Sequence, residues 1–213
     1  MKIYKLPQRT SAFLFDMDGT LYTHSEYMRF QIDSPIKRLA GLRCVDFEEM
    51  KREIAAYREQ WAETHEGQQI SLGNTFTSFG ISIEESIRWR EELYDPGAYL
   101  KADPRLRETL MVLRPSYTLA VVTNNPVLVA GKTLSVLGVG DLFSVIVGLD
   151  TCTVSKPHEA PFLKAAALCG ASPKTCVAVG DRYDIDIALP LELGMGGVLV
   201  DGVEDVYKLR ELC

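Results

Sequence analysis
Nowhere in these 213 residues does apolar character run on for the roughly 18–20 positions that a membrane span requires. The opening stretch, residues 1–9, lacks the apolar centre of a signal peptide. Cysteine is scarce: five residues, at 44, 152, 169, 176 and 213, odd in number and with no C-x-x-C pair. That pattern argues against a disulfide framework or a zinc site and fits reduced thiols in a cytoplasmic protein. The three histidines, His24, His65 and His158, are not spaced to share a metal. Basic residues are outnumbered, 23 Lys and Arg against 29 Asp and Glu, and the net charge of −6 argues against a nucleic-acid polymer as partner. Repeats and low-complexity tracts are missing too. What is left is a globular composition, 46% hydrophobic and 24% charged with a mean hydropathy near zero. The length suits one large domain or a core with a modest insertion.

Short apolar runs mark strand candidates at 12–15, 117–122, 144–147, 176–179 and 197–200. Helical patterns occupy 105–113, 126–137, 159–169, 185–193 and 204–212. The alternation predicts an α/β fold, a doubly wound parallel sheet flanked by helices. Ligands of such sheets bind beyond the carboxyl ends of the strands. Pro190, inside the 185–193 pattern, should bend or end that helix.

Residues 25–97 break the rhythm, with almost no strand pattern and several helix starts. Ser34 and Pro35 read as an N-cap followed by proline at the first helical position. Asp46 with Glu49, and Ser82 with Glu85, have the spacing of capping boxes. Phe47, Met50, Ile54, Tyr57 and Trp61 form one helical stripe, and Ile83, Ile87, Leu93 and Tyr94 suggest another. The segment reads as an inserted helical cap, hinged near Thr23–Ser25 and Asp95–Gly97, with the stripes as its packing core.

Four short segments carry the chemistry. The run from Ala12 to Leu21 is a buried strand that ends in two carboxylates, Asp16 and Asp18, and then Gly19. Two acids at the end of a buried strand are costly unless something positive sits there, although an isolated Asp-Gly pair is also a plain turn. Behind the second strand, Thr123, Asn124 and Asn125 offer a hydroxyl and amides, with Pro126 as the first helical residue behind an Asn cap. Lys156 stands just before a helix start at Pro157, and Asp181, Asp184 and Asp186 crowd behind the fourth strand. Alone, each match is weak. Each follows a different buried strand, however, and a parallel sheet would gather all of them at one edge.

With these segments in order, the chain resembles the haloacid dehalogenase-like hydrolase superfamily over nearly its whole length. The four motifs match at Asp16-Met17-Asp18-Gly19-Thr20, at Thr123, at Lys156, and at Gly180-Asp181 with Asp186. The resemblance implies a Rossmann-like catalytic core of residues 1–24 and 98–213, a mobile helical cap at 25–97, and magnesium-dependent phosphoryl transfer through an aspartyl phosphate. It implies Asp16 as the nucleophile. It also implies Mg²⁺ on Asp16, the backbone carbonyl of Asp18, and Asp181. Thr123, the amide of Asn124, and Lys156 would hold the phosphoryl oxygens. Asp186 would orient metal-bound water, with Asp184 as the competing residue because the spacing after Asp181 varies in the family.

Asp18 separates subclasses. A departing halide needs no proton, whereas a departing alkoxide does, so a second acid here implies a phosphatase or a phosphomutase rather than a dehalogenase. Residues 100–107, Thr123 to Asn125, Leu137 to Val139, Asp141 to Phe143 and Lys156 to His158 resemble the nucleotidase and phosphoglycolate phosphatase branch. Gly19 stands where that branch usually has Asn. The expected partner is a small phosphorylated metabolite: a nucleotide monophosphate, a sugar phosphate or a phosphorylated cofactor. A mutase of the β-phosphoglucomutase type is the alternative, and a non-catalytic binding module the remote one.

Overall fold
The computed structural model describes residues 1–65, 67 and 69–212, so the cysteine at 213 lies outside the described residues. The chain divides into two compact units, Met1–His24 with Asp95–Cys213, and Ser25–Tyr94.

The first unit is built on six strands: β1 (Lys2–Lys5), β2 (Ala12–Phe15), β3 (Thr118–Val122), β4 (Val145–Val147), β5 (Cys176–Gly180) and β6 (Gly196–Leu199). They lie in the order β1-β6-β5-β2-β3-β4, parallel throughout except for β1 on β6. The sheet is therefore mixed rather than all-parallel. Strand β1 escaped the sequence reading because Lys2, Ile3 and Lys5 are exposed, and four largely solvated residues carry no apolar run. Strands β2 and β5 are buried at every position, as expected of strands covered on both faces. One face packs Leu14, Ala120, Val122, Val147, Phe162 and Met195 into a single cluster. On the aromatic side Phe13 meets Tyr117 edge-on at 5.0 Å and Phe15 meets Phe143 at 6.0 Å. Each such side chain contributes about 1.5–3 kcal/mol by burial.

Among the described residues the α-helices are, in chain order, α1 (Ser25–Arg43), α2 (Phe47–Thr64), α3 (Leu72–Ser78), α4 (Ile83–Leu93), α5 (Pro104–Leu113), α6 (Val127–Val136), α7 (Leu149–Cys152), α8 (Glu159–Leu168), α9 (Ala188–Glu192) and α10 (Val203–Val206). Among the described residues, no helix is long and apolar enough to cross a membrane. Helix α8 starts at Glu159, two residues later than Pro157, and His158 caps it by accepting from the Ala160 N–H at 3.1 Å. Pro190 sits in the first turn of α9, where a missing N–H costs nothing, after a π-helical turn at Tyr183–Ile187.

In the second unit the Ser34–Pro35 start does not occur, because α1 runs straight through Pro35. Proline removes the N–H that would reach the Gln31 carbonyl four residues back. The Tyr94 hydroxyl supplies the missing donor, bonding that carbonyl at 2.5 Å. Asp46 caps α2 by accepting from Glu48 N and Glu49 N at 2.9 and 3.3 Å, and Ser82 caps α4 by accepting from Glu85 N at 3.1 Å. The Glu85 side chain turns instead to the Trp89 indole N–H, at 2.5 Å. Ile36, Leu39, Met50, Ile54, Phe76 and Trp89 form the core. Helix α4 buries Ser86, Trp89 and Arg90, one step round from the Ile83 and Ile87 stripe that the sequence suggested.

Candidate active site
Strand β2 continues its ladder one residue further, with Asp16 N donating to Val179 O at 2.8 Å, and the side chain of Asp16 then leaves the end of the sheet. Residues 17–22 fold back at once: Thr20 N and Leu21 N both donate to Met17 O, and Gly19 N donates to Tyr22 O at 3.1 Å. Gly19 has φ +84°, and a Cβ there would fall 2.4 Å from Asp181 Oδ2. Only glycine lets the loop after β2 lie against the carboxylate after β5.

Lys156 reaches the same point from the segment after β4. It is 1% exposed, and its ammonium donates to Asp16 Oδ1 and to Asp186 Oδ1, each at 2.6 Å. Burial alone would pull its pKa down, but the two carboxylates outweigh that and hold it above the ordinary lysine value. Asn124 fixes the lysine's backbone from both sides: its Oδ1 accepts from Lys156 N at 2.7 Å and its Nδ2 donates to Lys156 O at 3.2 Å. Thr123 is buried, and its Oγ1 accepts from Asn125 N at 3.1 Å, which leaves the hydroxyl hydrogen to be donated. Pro126 is not the first residue of α6 but its extended cap residue, and the Val127 N–H is taken by Asp150 Oδ1 at 2.9 Å. One of the free N–H groups at that helix end is therefore already taken from within the chain.

The fourth segment divides its acids. Asp186, 2% exposed, turns inward from the π-helical turn and accepts from Arg182 N at 3.2 Å, while Asp184 stays exposed. Gly180 makes room, since a Cβ there would lie 2.3 Å from the Asp186 Cβ. Oxygens of Asp16, Asp181 and Asp186 all lie within 4.8 Å of one another. Burial, with Lys156 opposing it, raises the pKa of Asp186. Burial first, then the charges of Asp16 and Asp186, push Asp181 up to about 7.

The Lys156 ammonium is one positive charge set among three carboxylates. Asp16 Oδ2 and Asp181 Oδ1 are buried with no hydrogen-bond partner. Two orphaned carboxylate oxygens among three acids are what a hard, oxygen-seeking cation would satisfy, so the donor set fits a divalent ion. Asp18 stands apart from the cluster, half-buried, and its oxygens accept from the Tyr22 hydroxyl and from Asn125 Nδ2. Tyr22, the Asn125 side chain and Arg182 received no role from the sequence. Tyr22 lies one residue past the run at 12–21, and the sequence offers Asn125 only as an amide at the strand tip and a helix cap. Arg182 is exposed yet holds its proton more firmly than usual, because the charges of Asp16, Asp186, Asp181 and Asp18 outweigh its partial loss of solvent.

A parallel-sheet edge with an acid loop, a hydroxyl, a lysine and a second acid loop defines a class, and comparison with known proteins agrees. The family model for haloacid dehalogenase-like hydrolases matches residues 10–194, and the chain belongs to that family. Among curated relatives, a glyceraldehyde 3-phosphate phosphatase of Methanopyrus kandleri is 29% identical over 194 residues, 86% of this chain and 81% of its own. A phosphoglycolate phosphatase of Escherichia coli is 29% identical over 191 residues, 82% of this chain and 75% of its own. The solved HAD phosphatase of Thermococcus onnurineus shares the fold, with a TM-score of 0.63 at 22% identity over 95% of this chain and 97% of that one.

Proposed function
We propose that the chain is a magnesium-dependent phosphatase of small phosphomonoesters that works through an aspartyl phosphate on Asp16. The observation that carries this reading is the buried cluster of Asp16, Asp181 and Asp186, bridged by Lys156. Asp16 and Asp181, with the backbone carbonyl of Asp18, would hold Mg²⁺, and Asp186 would stand beside it. Bound there, the ion would offset carboxylate–phosphate repulsion, roughly 4 kcal/mol per like-charge pair at about 4 Å in an effective dielectric of about 20.

The chain's own groups supply the rest. An Asp16 oxygen attacks phosphorus, and the ester bond breaks as Asp18 gives its proton to the leaving oxygen. Asp18 then takes a proton from the water that attacks phosphorus and frees Asp16. The Thr123 hydroxyl, the main-chain N–H of Asn124 and the Lys156 ammonium hold the phosphoryl oxygens. Lys156 has three donors and spends two on Asp16 and Asp186, so a third remains for phosphate. The unit Ser25–Tyr94 acts as the cap that selects substrate. Relatives named for phosphoglycolate and glyceraldehyde 3-phosphate support a small phosphorylated metabolite. A cytoplasmic setting suits the free thiols Cys44, Cys152, Cys169 and Cys176.

The test is phosphate release from a panel of small phosphomonoesters, with Mg²⁺ and after exhaustive chelation, together with mapping of acid-stable label from a ³²P-ester. Metal-dependent release with label on Asp16 is expected. Full activity after chelation, or label on another residue, would overturn the reading.

A further inference from the structure
Two neutral side-chain donors hold the carboxylate of Asp18. The Tyr22 hydroxyl donates to its Oδ1, and Asn125 Nδ2 donates to its Oδ2 at 2.8 Å. Both donors are themselves fixed. Tyr22 is 3% exposed, and its carbonyl accepts from Gly19 N in the tight loop that also carries Asp18. Asn125 is buried, with its N–H on Thr123 Oγ1 at 3.1 Å and its carbonyl accepting from Leu149 N at 3.0 Å. A Cβ at position 148 would come within 2.7 Å of that carbonyl, so Gly148 keeps the contact open. The amide of Asn125 thus projects from a backbone clamped on both sides and joins the loop after β2 to the loop after β3.

We infer that Tyr22 and Asn125 are positioning residues for Asp18, which together hold its carboxylate in the one orientation from which it can exchange a proton with the reacting oxygen. The inference rests on the phosphatase reading given above. An aspartate on a short loop otherwise samples several rotamers, and misplacement of a reacting group by about 1 Å can cost on the order of 100-fold in rate. Neither donor belongs to the Asp16, Asp181 and Asp186 cluster, so their loss should touch proton transfer while nucleophile and phosphate binding stay intact.

The experiment uses the full chain with Mg²⁺ and two probes. Phosphoglycolate has a leaving group that needs a proton; p-nitrophenyl phosphate has one that does not. Tyr22→Phe keeps the ring and removes only the hydroxyl, and Asn125→Ala removes the amide. Each should lower kcat for phosphoglycolate by about 10- to 100-fold with KM within about twofold. The initial burst of p-nitrophenol should change by less than about threefold, because formation of the phosphoenzyme from this ester needs no acid. Added to Asp18→Asn, neither change should lower kcat further. Equal losses on both esters, or a loss that persists undiminished in the Asp18→Asn background, would overturn the assignment. A wild-type chain that releases phosphate from neither probe and takes no label on Asp16 would remove the phosphatase reading itself, an outcome distinct from either.

Discussion

In the helical unit the ion pairs stay at the surface: Arg38 meets Glu92 at 2.5 Å, Lys51 meets Asp33 at 3.1 Å, and Arg88 meets Glu85. Its centre is Ile36, Leu39, Met50, Ile54, Phe76 and Trp89, with Arg90 as a buried charge at its edge. The catalytic unit has exposed pairs too, Arg105–Glu204 and Arg107–Asp141, but it adds charge in its interior. Asp16, Lys156 and Asp186 are at most 5% exposed, and the pairs Lys156–Asp16 and Lys156–Asp186 stand at 2.6 Å in the interior. Buried ion pairs are poor stabilisers, since the cost of removing charges from water rivals their attraction. A fold that seeks stability alone would use the first arrangement. The second marks a place where charge is kept for chemistry.

The comparison is most sharply tested at Lys156. Lys156→Met should abolish measurable turnover and lower the stability of the metal-free protein by about 3–5 kcal/mol, because two buried carboxylates lose their shared partner. Urea unfolding with and without Mg²⁺ reads this, and added Mg²⁺ should recover part of the loss. Unchanged stability in chelator would mean that the cluster is better solvated than its burial implies. Trp89→Ala should cost the helical unit about 3–5 kcal/mol, while hydrogen exchange in β2 and β5 stays slow. Loss of protection in those strands would show that the two units unfold as one.

A smaller effect is expected at the interrupted helix. Tyr94→Phe leaves the Gln31 carbonyl without that donor and should cost about 1–3 kcal/mol. In a Pro35→Ala background the restored N–H can serve the same carbonyl, so the penalty should shrink; equal penalties in the two backgrounds, by urea melts, would rule out this coupling. Smallest of all, Glu92→Gln should change stability by less than about 1 kcal/mol, since the Arg38–Glu92 pair lies open to solvent. A larger loss would blur the contrast between the two units.

The acids, hydroxyl and lysine were legible because a parallel sheet turns sequence order into proximity: whatever follows a buried strand arrives at one edge. Asp16, Lys156 and Asp181 come together because they follow β2, β4 and β5, while the roles expected of them and of Thr123 rest on the family resemblance. What depends on side-chain direction was hidden. Spacing left Asp184 and Asp186 undecided, and the π-helical turn, which widens the winding at Tyr183–Ile187, is what turns Asp186 inward. The bonds from Tyr22 and Asn125 to Asp18 cross between loops or fold within one, and no periodicity reports them. In the helical unit the same blindness misread Pro35, since a proline within a helix looks like a start unless the outside donor is known. The apolar stripe on α4 misled for another reason. Ile83 and Ile87 are only partly covered, while Ser86 and Arg90 are buried beside Trp89.

Pro35 has a consequence for modularity. A helix whose backbone is completed by a tyrosine 63 positions beyond the carbonyl it serves cannot be lifted out whole, since the bond that mends α1 belongs to the residue just beyond α4. Grafting α1 alone onto another scaffold would carry the break without the repair. The smallest transplantable piece of this unit is the full span Ser25–Tyr94, and its last residue is the stitch that closes it.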